Sequence, residues 1–303
     1  MISMAVYNKS GNPLASVFAK NGEELQRAYN KEGQTIHTKG PVQVDYDSYT
    51  ISNYCTVSLS PTQGFDIYGG VIFQFMANSS SVNNRMATIN ALAQSIINNN
   101  ITASAEHGDS ASFSSEYYAV GDDYPFLYVT ADTNPAKVFC NRVTLSTSSL
   151  VKSFVFPLEK TGYYAALCLD DENSLMYMVG YSEQNYQTDD GGNNKTVISK
   201  WDMTNLTDNG DGTYTPAFIS AIERPFIYVM QGQQYHDSML WIASGGTNVR
   251  GYIYALNPAT GALLHTVDTN TTTEVEGLAF ISDTEMVFGL QGGTYKKVTF
   301  ATS

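Results

Sequence analysis

Four copies of one recurring short motif put a long polar side chain directly before a glycine: Gln63 before Gly64, His107 before Gly108, Gln231 before Gly232 and Glu276 before Gly277. An apolar stretch follows each pair, then a turn and a second, more apolar stretch. Amide, imidazole and carboxyl groups of this kind bind hydroxyls and ordered water, and a carboxyl or imidazole can also move a proton. Asp66, Asp109 and Tyr235 lie within a few residues of these pairs. Tyr163 follows Gly162 in a looser fifth copy, Thr161-Gly162-Tyr163-Tyr164-Ala165, which has no long polar residue. Gln63, Asp66, His107, Asp109, Tyr163, Gln231, Tyr235 and Glu276 therefore form the candidate ligand-binding set. The glycine behind each polar residue lets neighbouring backbones approach closely.

Two chemistries suit these groups. Gln, Asp and His bind sugar hydroxyls, while aromatic faces pack on the C–H faces of the ring. Tyr117-Tyr118, Tyr163-Tyr164, Tyr181, Tyr186, Tyr235 and Trp241 are candidate platforms, although most aromatics in such a chain belong to the core. Alternatively, Asp66, Asp109, Glu116 and Glu276 could supply the carboxyl pair of a glycan-cleaving enzyme, but nothing in their spacing fixes a separation. The polar residues could also do no more than satisfy one another and channel water.

Other chemistries find no support. There is no GxSxG elbow, and His37, His107, His236 and His265 show no metal-ligand spacing. Asp208-Asn209-Gly210-Asp211-Gly212 resembles a calcium loop, but its first ligand position falls on Thr207 and the distal Glu is missing, so a hairpin turn is expected. Cys55, Cys140 and Cys168 lie in apolar runs without CxxC spacing and read as buried thiols. No metal and no cofactor is expected.

The elements that must position the polar residues recur with them. Units of about 40–50 residues, each of several short strands, are the signature of a β-propeller. Five units follow one another. The first has strands at 65–68, 71–77, 85–91 and 94–101, although Met86–Asn98 also fits a helical period. The second has 110–113, 126–131, 137–145 and 151–158. The third has 163–169, 175–181, 196–203 and 214–222, with a Gly/Asp/Asn-rich insert at 187–195. The fourth has 227–231, 239–244, 251–256 and 263–268. The fifth has only 277–281, 286–290 and 294–300, and an unclosed ring would leave an unpaired edge. The strand-like stretch 49–59 is free to complete it from outside. The chain is thus expected to be all-β: a five-bladed propeller over 41–303, closed by an N-terminal strand, with the polar-glycine pairs at one mouth of the central channel.

Residues 1–40 carry a different repeat. Tyr7, Phe18 and Tyr29, Lys9, Lys20 and Lys31, Gly11, Gly22 and Gly33, and Leu14, Leu25 and Ile36 recur every 11 residues. Strand, tight glycine turn and strand fit each copy, and one copy has too little apolar surface to fold alone. The segment reads as an arm for attachment or oligomerisation, or else as a frayed tail.

Composition narrows the partners. The 303 residues include 21 Tyr and 14 Phe, and only 15% are charged, which suits strands and aromatic-lined surfaces. A formal net charge of −13 disfavours nucleic acid and anionic membranes, both of which need a basic face. No apolar run is long enough to span a bilayer, and Met-Ile-Ser-Met-Ala-Val-Tyr lacks the character of a signal peptide, so cytosolic synthesis is expected.

The 11-residue Tyr-Asn-Lys-x-Gly-x-x-Leu units resemble N-terminal repeats of tail-associated proteins from phages of Gram-positive and gut bacteria. The five-unit ring resembles the propeller platform of phage receptor-binding proteins, a fold also seen in helveticin-type bacteriocins. Glu106–Phe113, Tyr117-Tyr118, Tyr-Pro-Phe-Leu-Tyr-Val from Tyr124, Met230-Gln231-Gly232 and Trp241-Ile242-Ala243-Ser244-Gly245 carry that resemblance across roughly residues 50–303. It implies a virion tail component, a trimer or other homo-oligomer, that binds other tail proteins and recognises a bacterial surface glycan or teichoic-acid-like polymer. The long coiled-coil stem and tower domains of some relatives are missing here.

Overall fold

The computed structural model describes residues 27–29, 35–38, 43–60, 62–78, 81–131 and 133–302. The ring, Asp45–Ala301, is one compact unit. A hairpin of β1 (Arg27–Tyr29) and β2 (Thr35–Thr38) belongs to a second unit. Its two strands take in the two ends of the third copy of the 11-residue repeat, Tyr29 in β1 and Thr35 and Ile36 in β2. The first two copies lie outside the described residues.

Five four-stranded antiparallel blades make the ring, each written from the innermost strand outward. Blade one is β4 (Phe65–Tyr68), β5 (Val71–Asn78), β6 (Ser81–Asn90) and β7 (Ser95–Thr102). Blade two is β8 (Ala111–Phe113), β9 (Leu127–Ala131), β10 (Ala136–Val143) and β11 (Ser148–Phe156). A single helical turn, α1 (Leu158–Thr161), leads to blade three: β12 (Tyr163–Asp170), β13 (Leu175–Tyr181), β14 (Lys195–Asp208) and β15 (Thr213–Pro225). Blade four is β16 (Met230–His236), β17 (Met239–Ser244), β18 (Tyr252–Leu256) and β19 (Leu263–Asp268). Blade five is β20 (Val275–Ser282), β21 (Glu285–Leu290) and β22 (Thr294–Thr302). Its outermost strand is β3 (Val44–Thr56), so the chain's early segment closes the ring as the sequence predicts.

Burial peaks at the second strand of each blade and falls toward the rim. Second strands are covered on both faces by neighbouring blades, and β17 is buried at every position. Outer strands show one dry face and one wet one, as in the largely exposed β7. This settles Met86–Asn98, where the helical period is the wrong one. Met86, Ala87, Thr88 and Ile89 are all fully buried in sequence. Such a run fits a strand sandwiched between blades, and the chain turns at 91–94 before β7. The inner strand of blade four also differs from expectation, running from Met230 to His236 rather than from 227 to 231. Val229, at φ 31°, breaks the strand before it, and a bulge follows between Met230 and Gln233.

Glycines set the ring's tightness. A Cβ on Gly232 would lie 2.2 Å from Gly277 Cα, and one on Gly64 would lie 2.6 Å from the backbone carbonyl of Asp109. Gly64 N–H donates to the Gly108 carbonyl at 2.9 Å, joining blades one and two. Each inner strand touches the next, and β20 returns to β4.

Buried polar groups then seal the axis. Ser110 Oγ donates to the Leu167 carbonyl at 3.0 Å or the Gln233 carbonyl at 2.8 Å, reaching blades three and four. Asp66 accepts from Phe113 N–H at 2.6 Å and from Gln234 Nε2 at 3.2 Å. Tyr295 Oη donates to Gln74 Oε1 at 2.6 Å, tying blade five to blade one.

Blades two and three are fused at the rim. The long β14–β15 hairpin extends beyond its blade, and β15 pairs in parallel with β11 at Ser153–Thr213 and Phe154–Tyr214. Asp208–Gly212 is the tip of this hairpin, with Gly210 and Gly212 at positive φ, as the turn reading expects.

Gly232→Ala forces backbone against backbone and should cost roughly 2–4 kcal/mol in chemical denaturation. Removing Val44–Thr56 should abolish the single cooperative melt of the ring; an unchanged calorimetric transition would show that closure by β3 is dispensable.

Candidate functional site

Inner strands rise from one mouth of the ring to the other, so residues at their starts gather at one end. There, Gln63, His107, Asp109, Gln231 and Glu276 line a single cavity of about 400 Å³. The segments before β4 and β8 and the first residues of β16 and β20 deliver them, with one long polar residue from each copy of the polar-glycine pair. Glu274 joins because it lies two residues before Glu276, on the same side of an extended chain.

The other three candidates lie elsewhere. Asp66 and Tyr235 are three and four residues further along their strands than Gln63 and Gln231, and they line the opposite mouth with Asp170 and Asp237. At about 3.3 Å of rise per residue, that displacement crosses much of the ring. Asp66 is fully engaged in holding blades together, by Phe113, Ile67 and Gln234. Tyr163 points into a separate groove beside α1, with Glu159 and Ile222. A bulge between Tyr163 and Ala166 turns its neighbour, Tyr164, into the mouth instead.

An aromatic wall completes the cavity. Tyr164 and Tyr186 meet edge to face at 5.0 Å, Tyr181 lies 6.0 Å from Tyr186, and Tyr228 stands with them at the rim. Tyr186 comes from the polar insert after β13. That insert is pinned by the buried Asn194, whose Nδ2 donates to the carbonyls of Asn185 at 2.7 Å and Thr188 at 3.1 Å. Tyr164 is held at φ 51° and Val229 at φ 31°, both left-handed and both lining the mouth. Bulky and β-branched residues adopt that region at a cost, and such strain concentrates at functional sites. Trp241, a candidate sugar platform by type, is fully buried and belongs to the core.

The electrostatics are acidic. His107 Nδ1 donates to Asp109 Oδ1 at 2.5 Å. Glu274 accepts from Gln231 Nε2 at 2.7 Å and from Thr247 Oγ1 at 3.1 Å. Glu276 is only 3% exposed, and among the described residues nothing hydrogen-bonds to its carboxyl. Burial pushes it up to about 8, the charges of Glu274 and Asp109 adding to the effect and His107 opposing it. Asp66, at the other mouth, is raised to about 7 by burial against its three hydrogen bonds. A perturbed carboxyl lining a cleft is a physical mark of a functional site.

Period-two spacing from Glu276 would have found Glu274. Gln291 also stands directly before a glycine, Gly292, whereas Tyr228 and Thr247 carried no signal, because they reach the mouth from loops whose course depends on the closed ring. Among the described residues, no group of His, Cys, Asp and Glu is placed to hold a metal ion.

No protein-family model matches this chain. No curated protein is similar to it in sequence. Among solved structures it is similar to the PQQ-bound form of an aldose sugar dehydrogenase from Streptomyces coelicolor, at 11% identity and a TM-score of 0.45, over 84% of this chain and 99% of that one. A likeness that distant carries no functional argument.

The folded protein keeps Glu276 protonated up to about 8, whereas the ordinary carboxyl value is 4.5. Between those values the native state holds one more proton than the unfolded chain, so this group makes stability fall as pH rises. Asp66 acts in the same direction between 3.8 and about 7. Glu276→Gln, which mimics the protonated form, should melt close to the parent at about pH 5. It should melt above the parent at about pH 8, by on the order of 1.4 kcal/mol per unit of removed shift.

Proposed function

We propose that the chain is a non-enzymatic carbohydrate-recognition module, and that it works through the mouth lined by Gln63, His107, Asp109, Gln231 and Glu276. The observation that carries this reading is their convergence, from four of the five blades, on one cavity walled by four tyrosines. Amides, carboxyl groups and an imidazole supply hydrogen bonds to hydroxyls, and the Tyr164–Tyr186 wall supplies a face for sugar C–H groups. The cavity is large enough for one or two sugar units. The 11-residue repeats ahead of the ring suit an attachment arm, which supports a place in a phage tail or similar surface-binding assembly. Several copies would then raise a weak single-site affinity by avidity.

One observation favours a second reading, glycan cleavage. Glu276 has the protonated carboxyl that a general acid needs at neutral pH, and the His107–Asp109 pair could act as its basic partner.

A glycan array and retention on bacterial cell-wall polysaccharide test the first reading. Gln231→Ala and Tyr186→Ala should each weaken retention about tenfold while the cooperative melt persists. A folded protein that retains no glycan rejects it. Release of reducing ends from a bound polysaccharide, lost in Glu276→Gln, would establish cleavage instead.

A further inference from the structure

We infer that the sugar taken by this mouth carries a protonated amine, seated between Glu276 and the tyrosine wall. The inference rests on the recognition reading above and names its ligand class. Among the described residues, three carboxyl groups line the cavity and no lysine or arginine does. Two of the three are occupied: Asp109 by His107, and Glu274 by Gln231 and Thr247. Glu276 is not, although it is 3% exposed. The comparison with Asp66 is direct. That carboxyl is similarly buried, yet three donors engage it. A carboxyl withdrawn from water without donors is an expensive arrangement that a bound cation would relieve. Gln63 Oε1 is a second buried acceptor at the mouth without a hydrogen-bond partner.

A neutral hydroxyl would leave Glu276 protonated, because burial, Glu274 and Asp109 continue to oppose its ionisation. An ammonium group offers three donors and a full positive charge. It also gains from the negative faces of aromatic rings, which Tyr164, Tyr181, Tyr186 and Tyr228 provide. The carboxyls are not clustered as a metal ion would require, and a cavity of about 400 Å³ suits an organic cation. The titratable groups facing Glu276 are Glu274, Asp109, His107 and the four tyrosines. A cation arriving among them favours the ionised carboxyl, so binding should expel the proton that Glu276 holds when the mouth is empty.

The test is isothermal titration calorimetry of the full chain with glucosamine oligomers and with the same oligomers fully N-acetylated, at about pH 5.5, where the free amine is already an ammonium, in two buffers of different ionisation enthalpy. The amine form should bind about tenfold more tightly or better, with net release of a proton to the buffer. Glu276→Gln should abolish both the preference and the release while remaining folded. Equal or tighter binding of the acetylated oligomer, or a preference unchanged in Glu276→Gln, overturns the inference. If neither oligomer binds while neutral glycans are retained on the array, the inference falls and the recognition reading stands. If no glycan of either kind is retained, both fall.

Discussion

Contact between backbones at the hub is the constraint from which the rest of this molecule follows. Gly232 against Gly277, and Gly64 against the Asp109 carbonyl, bring neighbouring inner strands closer than any side chain would allow. That closeness leaves no open channel. The axis is instead crossed by hydrogen bonds between blades: Ser110 donates to the Gln233 carbonyl, Phe280 N–H to Gln234, and Gln234 to Asp66. Because the axis is plugged, the ring has two separate mouths with different chemistry. The side chains preceding the glycines are pushed out at one of them.

The same geometry explains why the mouth holds buried acid without compensation. Glu276 sits one residue ahead of Gly277, where the strand is already enclosed by blades four and one. It is almost wholly withdrawn from water, and two of its neighbours, Glu274 and Asp109, are acidic. The fold tolerates this because most of its stability comes from the five blade interfaces, which are packed with residues such as Phe65, Phe73, Trp201 and Trp241. A site that is unfavourable when empty is a usual companion of one built for a ligand.

Much of the ring was legible in the sequence because its determinants are local and repeated. The polar-glycine pairs marked the inner strands, and the missing strand of the fifth unit pointed to Val44–Thr56. Where one signal was ambiguous, as at Met86–Asn98, periodicity could not separate a helix stripe from a strand buried on both faces. The site was legible in the part that sits directly before a glycine. Asp66, Tyr235 and Tyr163 were misplaced because sequence proximity does not say how far up a strand a residue lies or which way a bulge turns it. Tyr228 and Thr247 come from loops brought to the mouth only by closure, and no local pattern encodes that.

The rim pairing of β11 with β15 makes the ring mechanically uneven. Blades two and three share a continuous sheet of eight strands, whereas among the described residues the other seams carry no strand pairing between blades. Tension or thermal breathing is therefore borne unequally, with this double blade as a stiff arc. Tyr164, Tyr181 and Tyr186 are mounted on the arc's blade three, while Glu274 and Glu276 ride on blade five. Any loosening of the remaining seams changes the gap between wall and carboxyls, so the aperture of the mouth is set by the softer part of the circle.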